Sequence, residues 1–96
     1  MLNFEWDPVK ARRNLAKHGV AFDDAQAVWN DPLHIVAPDR FEDGEQRWHA
    51  TGMAGAVTIL VVVYTCRGRD DETVLRIISA RKATPHERRR YEQERT

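Results

Sequence analysis

One run of residues sets the terms for the fold: from Val57 to Cys66 almost every side chain is apolar, and the apolar residues fall on both parities. In an extended strand Val57, Ile59, Val61 and Val63 point one way and Leu60, Val62 and Tyr64 the other. A strand apolar on both faces belongs in the middle of a sheet, with cover above and below it. The run is far too short to span a bilayer, so that cover has to be protein. A chain of 96 residues has room for one such core and no second domain. Burying each of these side chains stabilises by roughly 1.5–3 kcal/mol, so most of the stability should originate here.

The rest of the chain reads as the elements needed to cover that strand. Residues 2–6 alternate and form a short first strand. Asp7-Pro8 opens a helix, with Asp7 as cap and Pro8 in the first turn, and Gly19 ends it after His18, placing Val20 against Leu15. A second helix follows, with Asp23 and Gln26 as a capping box, Ala25, Val28 and Trp29 as its inner face, and Asp31-Pro32 as its end. The period then changes from helical to two, giving strands at about 33–37, 47–53, 57–66 and 73–81. They are joined by an acidic loop through Asp39, Glu42, Asp43, Gly44 and Glu45, a turn over 52–55 and a polar turn over 68–72. Thr84-Pro85-His86-Glu87 begins the last helix, with Thr84 as cap and Glu87 closing a capping box. The expectation is a single α+β domain over 1–96: a short N-terminal strand, two helices, an antiparallel four-strand meander and a C-terminal helix.

Charge is distributed unevenly along this plan. The formal net charge is zero, yet residues 1–66 hold six Lys/Arg against nine Asp/Glu and residues 67–96 hold nine against six. A basic C-terminal third suits a polyanion such as nucleic acid, or an acidic protein partner. Cys66 is the single cysteine, so no intrachain disulfide and no cysteine-built zinc site can form, which fits a reducing compartment. No carboxylates stand at metal-ligand spacing, and neither a metal nor another cofactor is expected. Without a basic-then-apolar leader or a membrane span, the chain is expected in the cytoplasm.

Within the basic third, Arg76 and Arg81 are the best candidates for holding phosphate, because a guanidinium pairs bidentately with its oxygens and keeps its charge. Their odd separation puts them on opposite faces of an ideal strand, so they converge only if the strand twists or ends before Arg81. Lys17 and His18 are candidates for base or acid, with a competing role as cations at a helix C-terminus. Arg47 and His49 share one side of a strand and could meet one substrate phosphate, whereas His34 and His86 are weaker candidates. Tyr91 lies one turn beyond Glu87, where it could stack on a base or pack the helix on the sheet. Arg88, Arg89, Arg90 and Arg95 form a basic surface for an RNA backbone or a protein partner.

Two of these stretches carry a resemblance. Trp6-Asp7-Pro8, Lys10, Asn14, Lys17-His18-Gly19-Val20 and Phe22, followed by Arg76-Ile77-Ile78-Ser79-Ala80-Arg81-Lys82-Ala83-Thr84 and Glu87-Arg88, resemble the BrnT family of bacterial type II toxins over nearly the whole chain. The resemblance implies a RelE-like fold and a ribonuclease that halts translation. It also implies neutralisation by a small BrnA-like antitoxin in a hetero-oligomer, with DNA contacted only through the antitoxin, and it favours a role for the tyrosine near the C-terminus, Tyr91. RNA cleavage without a metal needs a base for the 2′-hydroxyl, cations for the developing charge and an acid for the 5′-oxygen. The competing expectation is a module that binds nucleic acid or antitoxin without catalysis, a toxin that keeps its fold and has lost its activity.

Overall fold

The computed structural model describes residues 2–69 and 72–94. Its elements run β1 (Leu2–Glu5), α1 (Pro8–His18), α2 (Phe22–Ala25) with a 3-10 turn (Gln26–Asn30), β2 (Ile35–Glu42), β3 (Glu45–Met53), β4 (Ile59–Arg69), β5 (Glu72–Lys82) and α3 (Pro85–Glu94). They build an α+β domain around one five-stranded sheet in the order β1-β5-β4-β3-β2. Strands β2 to β5 follow one another antiparallel, as expected, but β1 joins them by pairing parallel to β5, so the sheet is mixed and five-stranded rather than a four-stranded meander. The polar turn expected at 68–72 has its centre, Asp70 and Asp71, outside the described residues, as does Arg95.

β4 is central, as its two-faced pattern demands. Leu60, Val62 and Tyr64 are buried on one face against Val20, Phe22, Ala25, Val28, Ala50, Leu75, Ile77 and Ala80. Trp6, Trp29 and Trp48 pack against this core, Trp29 edge-on to Tyr64 at 5.1 Å and to Phe4 at 5.2 Å. On the opposite face Ile59 and Val61 are buried, whereas Val57 lies before the strand and is 72% exposed.

The cap of α1 forms as read: Asp7 Oδ1 accepts from Val9 N at 2.8 Å, and Gly19 takes φ 70° with its N–H on Leu15 O at 2.8 Å. Leu15 itself is 50% exposed, and the buried residue of α1 is Asn14. The second helix differs from expectation. No side chain caps it, and after Ala25 it tightens into the 3-10 turn, which still buries Val28 and carries Trp29 onto the core.

Two glycine positions explain the remaining differences. Strands β2 and β3 run on through the segment read as an acidic loop and meet at a two-residue turn, Asp43-Gly44, with φ 53° and 75°. Positive φ at both positions matches the right-handed twist of a hairpin, and Asp-Gly adopts it readily. Gly52, read as a turn residue, lies inside β3, where an added Cβ would stand 2.9 Å from His34 Cβ and 3.0 Å from Val28 Cγ1. Only a bare backbone lets the 3-10 turn approach the strand so closely.

Candidate active site

Strand β5 carries the feature that organises the polar face. Val63 pairs with Ser79 but Tyr64 pairs with Ile77, so Ile78 is an extra residue, a bulge in β5. The bulge reverses the parity of everything after it. Arg76 stands opposite Thr65 and Arg81 opposite Val61, and Val61 and Thr65 point the same way on β4. The two arginines therefore share one face despite their odd separation. Arg47 pairs with Thr65, and His49 with Val63, so both belong to that face as well. It is the side away from the main core, and its rows across the sheet read Glu5, Arg76, Thr65, Arg47; then Ser79, Val63, His49, Ala37; then Arg81, Val61, Thr51, Ile35.

Helix α3 lies over the last of these rows. Its start is closed by the expected capping box: Thr84 N donates to Glu87 Oε1 at 2.9 Å and Glu87 N donates to Thr84 Oγ1 at 3.2 Å. The same Glu87 accepts two bonds from Arg81, Nη1 to Oε1 at 2.7 Å and Nη2 to Oε2 at 2.9 Å. The hydrogen bonds from Arg81 are the largest influence holding the Glu87 carboxyl down, at about 2, and the same contact raises Arg81 above its ordinary value. Between the helix and the sheet is a cavity of about 250 Å3, lined by Ile35, Ala37, His49, Thr51, His86, Glu87 and Arg90.

Tyr91 takes the packing role, not the base-stacking one, of the two expected of it. It is 1% exposed, and its hydroxyl donates to Asp31 Oδ2, which also accepts from Met53 N at 2.8 Å. The ring anchors α3 to the loop before β2 and has no free face on which a base could stack. Arg88 turns toward the β3–β4 connection, donating to Val57 O at 3.0 Å and facing Glu92 at 3.5 Å. Arg89 lines an outer groove of about 350 Å3 with His86, Arg90, Gln93 and Glu94.

Lys17 and His18 are not brought to Arg76 and Arg81. They lie at the β5 edge in a separate shallow pocket of about 210 Å3 with Lys10, Arg13, Asn14, Ile78 and Ser79. Lys10, Arg13 and Lys17 follow one another along one side of α1, and among the described residues none of them makes an ion pair. A cavity of about 450 Å3 is on the helix side of the sheet around Asp23, Asp24 and Lys82, away from the arginine face.

Each arginine named on the sheet face, and His49, stands beside a carboxylate, and some carboxylates are shared: Glu5 lies within 4.0 Å of both Arg67 and Arg76, and Glu42 faces Arg40 as well as Arg47. Arg47 stands 2.8 Å from Glu42, Arg76 3.5 Å from Glu5, Arg67 3.4 Å from Glu45, and His49 Nδ1 3.6 Å from Asp39 Oδ1. The segment read as an acidic loop is thus laid along the basic face. Asp39 and Arg90 were legible only in part: Arg90 follows Glu87 by three and so shares its side of the helix, but Asp39 reaches His49 only because the hairpin extends to Asp43-Gly44. Among the described residues no group of three or more His, Cys, Asp and Glu is placed to hold a metal ion, and no helix is long and apolar enough to cross a membrane.

Comparison with known proteins identifies the chain's relatives. Residues 6–87 match the family described as the ribonuclease toxin BrnT of type II toxin-antitoxin systems. The crystal structure of the Brucella abortus ribonuclease toxin, BrnT, superposes with a TM-score of 0.68 at 27% identity, covering 88% of this chain and 99% of that one. No curated protein sequence matches. A toxin of this class acts on RNA and has an antitoxin protein as partner. The chain belongs to the BrnT family, the ribonuclease toxins of type II toxin-antitoxin systems.

Proposed function

We propose that this toxin binds and cuts RNA on the sheet face beneath α3, without a metal ion, by attack of a 2′-hydroxyl on the adjacent phosphate, and so inhibits translation in the cytoplasm. The observation that carries the reading is the Ile78 bulge, which turns Arg76 and Arg81 toward Arg47 and His49. Guanidiniums gathered on one face can hold a phosphate by paired N–H donors and stabilise the charge that grows on its oxygens. Arg81 and Arg76 take that part, and Arg47 and His49 grip the strand beside them.

Lys17 and His18, expected among the proton-transfer groups, serve this reading better as backbone contacts, together with Lys10 and Arg13 on the same side of α1. Arg88 and Arg89 extend the basic surface along α3. A BrnA-like antitoxin in a hetero-oligomer, which alone contacts DNA, silences the enzyme, and the RelE-like fold implied by the sequence resemblance fits a sheet face covered at one end by the last helix.

The test is cleavage of a labelled mixed-sequence RNA by partner-free protein in excess EDTA, free and on translating ribosomes, beside Arg81→Ala. Cleavage that leaves 2′,3′-cyclic phosphate ends in the wild type, and fails in the variant, is the expected result. Binding of RNA without products would favour the non-catalytic reading, which the carboxylate beside each sheet-face cation supports.

A further inference from the structure

The arginines of the sheet face hold charge but cannot carry a proton, and cleavage requires one proton taken and one given. Near neutral pH the side chain suited to both is histidine. The chain has four. His34 Nδ1 lies 2.7 Å from Asp31 O in the loop before β2, and His18 sits in the α1 pocket. The other two, His49 from β3 and His86 from the first turn of α3, line the same cavity of about 250 Å3.

The surroundings differ in a way that separates their roles. His49 has 32% of its side chain exposed, and its Nδ1 faces Asp39 Oδ1 at 3.6 Å, which leaves Nε2 for a substrate. A carboxylate behind an imidazole orients the ring and stabilises the cation that forms when it takes a proton. His86 has no such partner among the described residues, and Glu87 beside it is committed to Arg81 and Thr84. The charged groups around the two rings are Asp39 from β2, Glu87 and Arg90 from α3, and Arg81 from β5 behind Glu87.

We propose that His49 is the general base and His86 the general acid of RNA cleavage, with the scissile phosphate seated between them against Arg81. This rests on the reading of the sheet face as the RNA site. The 2′-hydroxyl gives its proton to His49 Nε2 as the 2′-oxygen bonds to phosphorus. The bond from phosphorus to O5′ breaks, its electron pair leaves on O5′, and protonated His86 supplies the proton that makes it a hydroxyl. The products are a 2′,3′-cyclic phosphate and a 5′-hydroxyl end. His49 is left as the cation beside Asp39, His86 is left neutral, and exchange with water resets both, so no co-reactant is consumed. Asp39 is a positioning residue that acts through His49.

The experiment compares full-length wild type, His49→Gln and His86→Gln on one labelled RNA in EDTA across the neutral pH range, with thermal melts alongside and Asn replacements repeating each change in a smaller side chain. Each variant is expected to lose about 10²–10⁴-fold in kcat. His49→Gln should lose the acidic limb of the pH profile and His86→Gln the alkaline limb, and Asp39→Asn should lower kcat with KM little changed. An RNA carrying sulfur in place of the scissile O5′ has a leaving group that needs no acid. It should restore most of the rate to His86→Gln and none to His49→Gln. Folded variants that cut unmodified RNA at the wild-type rate with an unchanged profile would overturn the pair while leaving the ribonuclease reading intact. Wild type that cuts neither free nor ribosome-bound RNA would overturn that reading and the pair with it.

Discussion

The side-chain amide of Asn14 pairs with the backbone of Ala80 on both of its groups: Ala80 N donates to Oδ1 at 3.0 Å and Nδ2 donates to Ala80 O at 2.8 Å. β1 pairs with β5 only as far as Arg76, and beyond it Asn14 takes the place of a strand at the open edge. Its Nδ2 also donates to Val20 O at 2.9 Å, so one buried side chain ties α1 to both the sheet edge and the chain leaving the helix. Asn14→Asp keeps the shape and the acceptor but removes both donors. It should lower stability by about 3 kcal/mol, read from urea unfolding, because two buried carbonyls would lose their partner. A loss well under 1 kcal/mol would mean that the amide is dispensable to the edge.

Gly52→Ala tests the close approach of the 3-10 turn to β3. The new methyl would meet His34 Cβ at 2.9 Å, Val28 Cγ1 at 3.0 Å and Asp31 Oδ2 at 3.2 Å, none of which is the end of a long flexible chain. A loss of about 1–3 kcal/mol is expected by thermal or chemical unfolding. Gly19→Ala is the control, with nothing within 4 Å of the added methyl and φ +70°, where only the left-handed backbone costs about 1 kcal/mol.

Acid stability should report on Glu87. Its carboxyl is lowered from 4.5 to about 2 by the bonds from Arg81, so its stabilising contribution is whole above about 4.5 and is lost as the pH falls through that window toward 2. Glu87→Gln should melt earlier than wild type at neutral pH, and the gap between the two melting curves should close as the pH is brought down. A gap independent of pH would show that the ionised carboxylate contributes nothing beyond the cap.

Tyr91→Phe removes the hydroxyl that reaches Asp31 and keeps the buried ring. A loss of about 1–2 kcal/mol is expected, and combined with Asp31→Asn the losses should be less than additive, since both break one contact. Strictly additive losses would detach the two residues from each other.

The unpaired side of α1 should appear in the salt dependence of RNA binding. Replacing Lys10 and Lys17 by Ala should weaken binding alike across sequences. The slope of log K against log salt should flatten by about 1.4, two single-strand phosphate contacts' worth. An unchanged slope would take RNA off this helix.

What could be read from the chain was whatever local chemistry decides. The two-sided run of β4, the Asp7 cap, the left-handed Gly19 and the Thr84–Glu87 box each depend on residues within a few positions, and each formed. What escaped depends on distant partners. The Ile78 bulge is a matter of register between two strands, and no residue type at 77–79 announces it. Asn14 entered the sequence reading only through the family resemblance, because its partner lies 66 residues away. Tyr91 was read by its position on α3, but a loop more than 50 residues earlier, through Asp31, decides that its ring is buried. The Asp43-Gly44 turn was a local signal, outweighed by the run of acids around it.

The carboxylates laid beside the sheet-face arginines bear on how the toxin could vary in strength. On the proposed reading, RNA phosphate would enter this face by exchange, taking the place of Glu87, Glu42 or Glu5, so affinity would be a difference between two anions competing for the same guanidinium. Losing one glutamate from the rim would then tighten the grip on RNA, and gaining one would loosen it. Potency can therefore drift up or down between relatives while every arginine stays in place.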